Sequence, residues 1–248
     1  MPRDTFASFD GVRLSYRLEG EGRPVLMLHG FLANSRFNWI EPGIAAAVTA
    51  AGFQAIMLDH RGHGHSEAPQ DARFYPPDVL AQDAEAFVVH LGLSDYDLVG
   101  YSLGARTAVR MLVRGARPRR CVLGGMGDSG VLGSTARVAF FEDAIGKGEA
   151  GAFSQAAKVV QALIARAQID PQVALNVLRS QTQTERAPLA SIDTPILCVS
   201  GVEDHDNGSA EGLAALFPNA QATRIHGNHL SAVNAELGEA IVEFLQRA

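Results

Sequence analysis

Apolar residues in this chain come in two rhythms, and the switches between them mark out its elements. Short continuous apolar runs at residues 25–28, 53–58, 96–99, 120–124, 194–201 and 222–225 read as strands, most of them buried on both faces. Between them, helical spacing occupies residues 42–52, 103–113, 210–217 and 237–245, and a further helix enters at Pro76-Pro77-Asp78 and runs to about His90. Strand and helix in alternation predict an α/β fold with a mostly parallel sheet. The opening is different: residues 6–9 and 12–16 flank Asp10-Gly11, a turn pair that predicts a tight antiparallel hairpin.

The alternation stops in residues 130–189, where three helices are predicted near 136–145, 150–167 and 171–180 with no strand between them. So long a break in a βα rhythm is read as an insertion, a helical cap over the sheet. The predicted organisation is a core of residues 1–129 and 190–248 carrying a cap of residues 130–189. The competing reading is two ordinary surface helices with long loops.

Composition narrows the class without naming a function. With 47% apolar and 19% charged residues among 248, the chain is an ordinary globular sequence large enough for a substantial core. A net charge of -6 gives no basic footprint, so no nucleic-acid partner is expected. Cys121 and Cys198 both sit within apolar runs and read as buried thiols, which suits a reducing compartment. Neither a secretory pattern nor an apolar stretch of about 20 residues is present, so the expectation is a cytoplasmic protein with no membrane partner. The oligomeric state is not legible.

Candidate chemistry gathers where strands end. In Asp97-Leu98-Val99-Gly100-Tyr101-Ser102-Leu103-Gly104-Ala105-Arg106, a serine stands between two glycines on the predicted turn from strand to helix. A Cβ at Gly100 or Gly104 would meet the adjacent strand or helix, and the first amides of the new helix face any negative charge that develops at the serine. Serine needs a base, for which His229 in the loop after the last strand is the candidate, and that histidine needs a carboxylate to hold its tautomer, for which Asp204 comes first. Asp128 and Asp206 are the rival acids, and His226 is the rival base. The loop Asp59-His60-Arg61-Gly62-His63-Gly64-His65-Ser66 invites a metal reading, but no cysteine or acidic cluster supports it. No metal and no organic cofactor is expected, and the loop is read as a turn in which Asp59 and Arg61 bond to the backbone or to neighbours.

These motifs, with His29-Gly30-Phe31 and Gly201-Val202-Glu203-Asp204, resemble the α/β-hydrolase superfamily over essentially the full chain. The order Ser102, Asp204, His229 matches the family's order of nucleophile, acid and base. The resemblance implies an eight-stranded sheet with its second strand antiparallel, an oxyanion hole from the amides of Phe31 and Leu103, and a cap acting as a lid. Ala105 departs from the second glycine of many relatives. Serine at the elbow argues against the haloalkane dehalogenases and epoxide hydrolases, which need aspartate there. The expected activity is hydrolysis of a small carboxylic ester through an acyl-enzyme, with a small-molecule ester or lactone as the partner. The alternatives are an enol-lactone or carbon-carbon bond hydrolase, a cofactor-free lyase, peracid formation, and a non-catalytic ligand-binding member of the fold. Trp39, Phe140 and Phe141 are the candidate substrate contacts, with Phe153 and Arg137 as further cap side chains that would shape specificity. An arginine facing the pocket would favour a carboxylate-bearing substrate.

Overall fold

The computed structural model describes residues 3–133, 135–147 and 154–247, and the side chains of 135–137 lie outside that description, as does Phe153. Eight strands, β1 (Asp4–Ala7), β2 (Arg13–Glu19), β3 (Arg23–Leu28), β4 (Phe53–Leu58), β5 (Asp97–Tyr101), β6 (Cys121–Gly124), β7 (Ile196–Gly201) and β8 (Ala220–Ile225), form one sheet in the order β1-β2-β4-β3-β5-β6-β7-β8. β2 is antiparallel to both of its neighbours, while β4, β3, β5, β6, β7 and β8 pair in parallel.

The buried strands split their side chains between two apolar layers by the period-2 alternation of a pleated sheet. Leu26, Leu28, Leu98, Cys121, Leu123, Ile196 and Cys198 face a layer completed by α2 (Val79–His90), α3 (Leu103–Val113) and α9 (Ala210–Ala214). Val25, Met27, Val99, Val122, Leu197 and Val199 face the opposite layer, covered by α1 (Ile44–Ala50) and α10 (Ala235–Gln246). Each fully buried Leu, Ile or Val side chain contributes about 1.5–3 kcal/mol, which is why continuous apolar runs rather than alternating ones code for these strands. Cys121 and Cys198 are both buried and both free.

Register brings the carboxyl ends of the parallel strands to one edge. Leu28 pairs with Leu58 and Gly100, Tyr101 with Gly124, Gly124 with Val199, and Gly201 with Ile225. Loops leaving these positions meet one another, and this is where the candidate chemistry lies.

The first hairpin is looser than a tight turn. β1 ends at Ala7 and β2 begins at Arg13, closed by Ser8 N–H donating to Val12 O (2.9 Å) and Gly11 N–H donating to Ser8 O (3.0 Å). Residues 8–10 are drawn away from the ladder: the Ser8 hydroxyl donates to Asp83 (2.5 Å), and Asp10 receives two bonds from Arg61 (2.8 and 3.0 Å). Arg61 is fully buried and also bonds to Asp83, so it ties the hairpin to the loop after β4 and to α2. α2 starts at Val79, and Asp78 before it adopts φ +62° with its carboxylate turned to Arg110 of α3 (2.9 and 2.7 Å) rather than capping the helix.

Among the described residues, five helices stand between β6 and β7: α4 (Asp128–Leu132), α5 (Thr135–Gly146), α6 (Gln155–Ala167), α7 (Pro171–Arg179) and α8 (Arg186–Leu189). The short α4 and α8, like a π-helical turn at Arg36–Ile40, are too brief to leave a readable period in the sequence. α5, α6 and α7 share an apolar cluster that includes Ile145, Val160, Ile164 and Ala174 together with Leu32 from the loop after β3. Val173 and Val177 of α7 join Leu103, Val79 and Leu80 in a separate cluster, which attaches these helices to the core beside the Ser102 turn. No helix among the described residues is long and apolar enough to cross a membrane.

Candidate active site

Ser102 stands between β5 and α3 with φ +53° and ψ -112°, a strained backbone for a residue with a side chain. Crowding around it explains the two glycines. A Cβ at Gly100 would overlap the backbone of Gly104, and one at Gly104 would overlap the carbonyls of Leu28 and His29. Gly30 approaches so closely that its Cβ would lie 3.3 Å from that of Ser102. Ala105, where the second glycine of many relatives is absent, is fully buried in the apolar layer beneath α3, so its methyl is accommodated.

His229 connects Ser102 to Asp204. Its Nε2 is 2.9 Å from Ser102 Oγ, and its Nδ1 is 2.9 Å from Asp204 Oδ2. Asp204 is buried, and its other oxygen accepts the Asp206 N–H at 3.2 Å. An ionised carboxylate only accepts, so Nδ1 of the neutral ring carries the proton and Nε2 is left to take one from the serine hydroxyl. The loops that carry acid and base are held together at their roots: Glu203 N–H donates to Gly227 O (3.1 Å), and a Cβ at Gly201 would overlap that same carbonyl. Tyr101 anchors the histidine from the other side, donating its hydroxyl to His229 O at 2.7 Å.

Two of the rival residues are employed elsewhere. Asp128 accepts from Ser209 N–H (3.0 Å) at the start of α9, joining α4 to α9. His226 is exposed and bonds to Glu236 (2.8 Å). Asp206 is exposed at the rim of the site, where its N–H donates to Asp204 Oδ1 at 3.2 Å. Asp204, Asp206 and His229 bring three possible metal donors within 4.8 Å of one another, but both nitrogens of the imidazole are already engaged by Ser102 and Asp204.

The loop after β3 is braced by three buried histidines. His29 Nε2 accepts the His60 N–H (3.0 Å), so its protonated Nδ1 donates to Gly30 O (2.8 Å). His60 Nε2–H donates to His29 O (3.1 Å), and His63 Nε2 accepts the Leu32 N–H (3.3 Å) while its Nδ1–H donates to Arg61 O (3.1 Å). An accepting nitrogen thereby fixes His29 and His63 as neutral imidazoles, while His60 is bonded through Nε2 alone. Burial lowers the pKa of each, helped for His60 and His63 by the neighbouring rings, and takes His63 down to about 3. Asn38 completes the brace, its Oδ1 accepting the Gly30 N–H at 2.7 Å. Asp59 accepts the Ser35 and His65 amides (2.8 and 3.1 Å) and Arg61 holds the hairpin, so the loop-stabilising reading of both agrees with their bonds.

A cavity of about 770 Å³ opens over Ser102 and His229. Phe31 and Leu103 border it beside the serine, and Leu103 occupies the first turn of α3, where helix amides lack partners in the preceding turn. Val138, Phe140 and Phe141 of α5 and Val159, Val160 and Leu163 of α6 supply apolar wall. Phe31 and Phe141 meet edge to face with centroids 5.4 Å apart. Trp39 corrects an expectation: it is fully buried in the apolar layer with α1 and α10 and does not line the cavity. The π-helical turn at Arg36–Ile40 rotates Trp39 toward the sheet while Phe37 and Asn38 border the cavity. Arg137 and Phe153 lie outside the described side chains. The sequence reading missed Asn38, Tyr101 and Arg106; the last two stand inside the same ten-residue stretch as Ser102, and that adjacency was the available signal.

Comparison with known proteins agrees with this fold. A model of the alpha/beta hydrolase fold matches residues 23–123. Over 105 residues the chain is 37% identical to a non-heme chloroperoxidase from Kitasatospora aureofaciens, covering 42% of this chain and 36% of that one. It is 36% identical over 110 residues to an N-formylmaleamate deformylase from Pseudomonas putida, covering 44% and 39% respectively. The chain therefore spans well under half the length of these curated relatives. Among solved structures, an esterase from Exiguobacterium antarcticum superposes with a TM-score of 0.81 at 18% identity, covering 98% of this chain and 99% of that one, a likeness of fold. Residues 23–123 thus match the alpha/beta hydrolase fold family, and the superposition extends the likeness of fold to essentially the whole chain.

Proposed function

We propose that this protein is a serine hydrolase that cleaves a small carboxylic ester, with Ser102 as nucleophile, His229 as base and Asp204 as the acid that orients it. The observation that carries this reading is the unbroken chain of hydrogen bonds from Ser102 Oγ through the imidazole to buried Asp204, 2.9 Å at each link. His229 takes the hydroxyl proton as Ser102 Oγ bonds to the ester carbonyl carbon. The amides of Phe31 and Leu103 receive the oxyanion, and His229 returns the proton to the departing alcohol. Water, activated by the same histidine, then attacks the acyl-enzyme and releases the acid. In this reading residues 130–189 are a cap that closes the acyl pocket, an assignment supported by the apolar wall of α5 and α6. The protein works in the cytoplasm, in keeping with two free buried thiols.

Steady-state hydrolysis of p-nitrophenyl acetate, butyrate and octanoate, with Ser102→Ala beside the wild type, tests the proposal. Turnover should vanish in the variant, and a fluorophosphonate should label the wild type alone. Equal turnover in both proteins would overturn the serine mechanism. The chloroperoxidase likeness favours one competing use of the same triad, attack of hydrogen peroxide on the acyl-enzyme to give a peracid. Acetate-dependent halogenation that rises with peroxide while ester hydrolysis stays negligible would favour it.

A further inference from the structure

Arg106 lies one helical turn after Ser102 on α3, its N–H donating to Ser102 O (3.0 Å), and its side chain lines the same cavity as Ser102 and His229. Its guanidinium has little to hold it. Nη2 donates to Thr182 O at 3.2 Å, and Nε is shielded from solvent without a hydrogen-bond partner. No carboxylate among the described residues pairs with it. Asp78, the acid whose charge it senses, is bound at both oxygens by Arg110, and Arg110 repels it. Burial first, and then that repulsion, lower its pKa, yet guanidinium starts so high that it stays charged at neutral pH. The other charged side chains described along the cavity differ: Glu41, Arg166, Glu203 and Asp206 are exposed, and Arg166 is paired with Glu41 at 3.0 Å.

A half-buried cation without a counter-ion is costly to a fold, and a guanidinium suits a carboxylate. We propose that Arg106 is a specificity-determining residue that receives a carboxylate of the substrate, so the natural ester or lactone is an anion whose charged end reaches past Ser102 to the foot of α3. The inference rests on the serine-hydrolase reading and names the substrate class of that site. It also assigns the neutral side chains of α5 and α6 to the hydrocarbon part of the same molecule. The exposed acids near the rim disfavour entry with the carboxylate trailing.

The test uses a matched pair of esters, p-nitrophenyl hydrogen glutarate and p-nitrophenyl pentanoate, which share chain length and differ in the terminal carboxylate. Wild type should prefer the glutarate, and Arg106→Gln should cut the glutarate-to-pentanoate ratio of kcat/KM on the order of 10- to 100-fold, chiefly through KM, with Arg106→Lys retaining part of it. Glutarate alone should raise the Tm of wild type and of Ser102→Ala but not of Arg106→Gln. A ratio that does not change in Arg106→Gln, or a variant that loses Tm and both activities alike, would overturn the proposal and leave the hydrolase reading in place. No turnover of either ester, with glutarate still stabilising Ser102→Ala through Arg106, would overturn the hydrolase reading and leave the anion site standing.

Discussion

His229 and the trio His29, His60 and His63 occupy equivalent places, each on or beside a loop that leaves the carboxyl edge of the sheet, yet they do opposite work. In the trio every ring is buried, and the bonded nitrogens point at backbone groups, so the imidazoles serve as neutral struts for the segment from Gly30 to Leu32. His229 is half-buried, with one nitrogen on a carboxylate and the other on a hydroxyl that faces the cavity. The difference teaches that what a histidine can do is decided by the partners of its two nitrogens and by the solvent left to it, not by its position at a strand end.

The sharpest way to break this comparison is to exchange consequences. His229→Ala should lower kcat on the order of 10⁴-fold or more while leaving Tm close to wild type, checked by ester kinetics and thermal unfolding. Asp204→Asn should cost about as much, because the amide can hold the wrong tautomer; Asp128→Asn, whose side chain serves α9, should keep wild-type turnover. His63→Leu should do the reverse of His229→Ala. With the Leu32 amide left buried without an acceptor, urea unfolding should show a loss of about 1–3 kcal/mol, and turnover should fall more modestly through the displaced loop.

Acid sharpens the comparison further. The trio titrates below the ordinary 6.5, His63 at about 3, so the unfolded chain binds protons that the folded chain refuses. Their contribution is intact above pH 6.5 and is lost as the pH falls toward the depressed values, at up to about 1.4 kcal/mol per histidine per pH unit. Urea midpoints should therefore drop between pH 6.5 and 4, and less steeply in His63→Leu. The smallest effect belongs to His226→Ala: its exposed pairing with Glu236 should leave both turnover and Tm at wild-type values.

How much of this was legible follows the same division. The Ser102 turn could be read because its requirement is local: glycine at positions 100 and 104 is enforced by atoms of the turn and of the strand beside it. Chain order could not place Asp204 ahead of Asp128, since both lie between Ser102 and His229, and only the Gly201-Val202-Glu203-Asp204 motif of the resemblance favoured it; their bonds separate them. Trp39 was misplaced because one π-helical turn decides which of three neighbouring side chains faces the cavity, and five residues carry no readable period. Hairpin residues 8–10 left their ladder because Asp83 and Arg61, more than 50 positions away, offered stronger bonds.

By itself the sequence determined the alternation of strand and helix, the parallel sheet and the strand ends from which the chemistry projects, since periodicity and turn sterics act over a few neighbouring residues. Tertiary structure alone decided which histidines are buried and neutral, which acid reaches His229, and that Arg106 enters the cavity without a carboxylate partner among the described residues. Those outcomes depend on burial and on partners far along the chain, and neither quantity exists until the chain has folded.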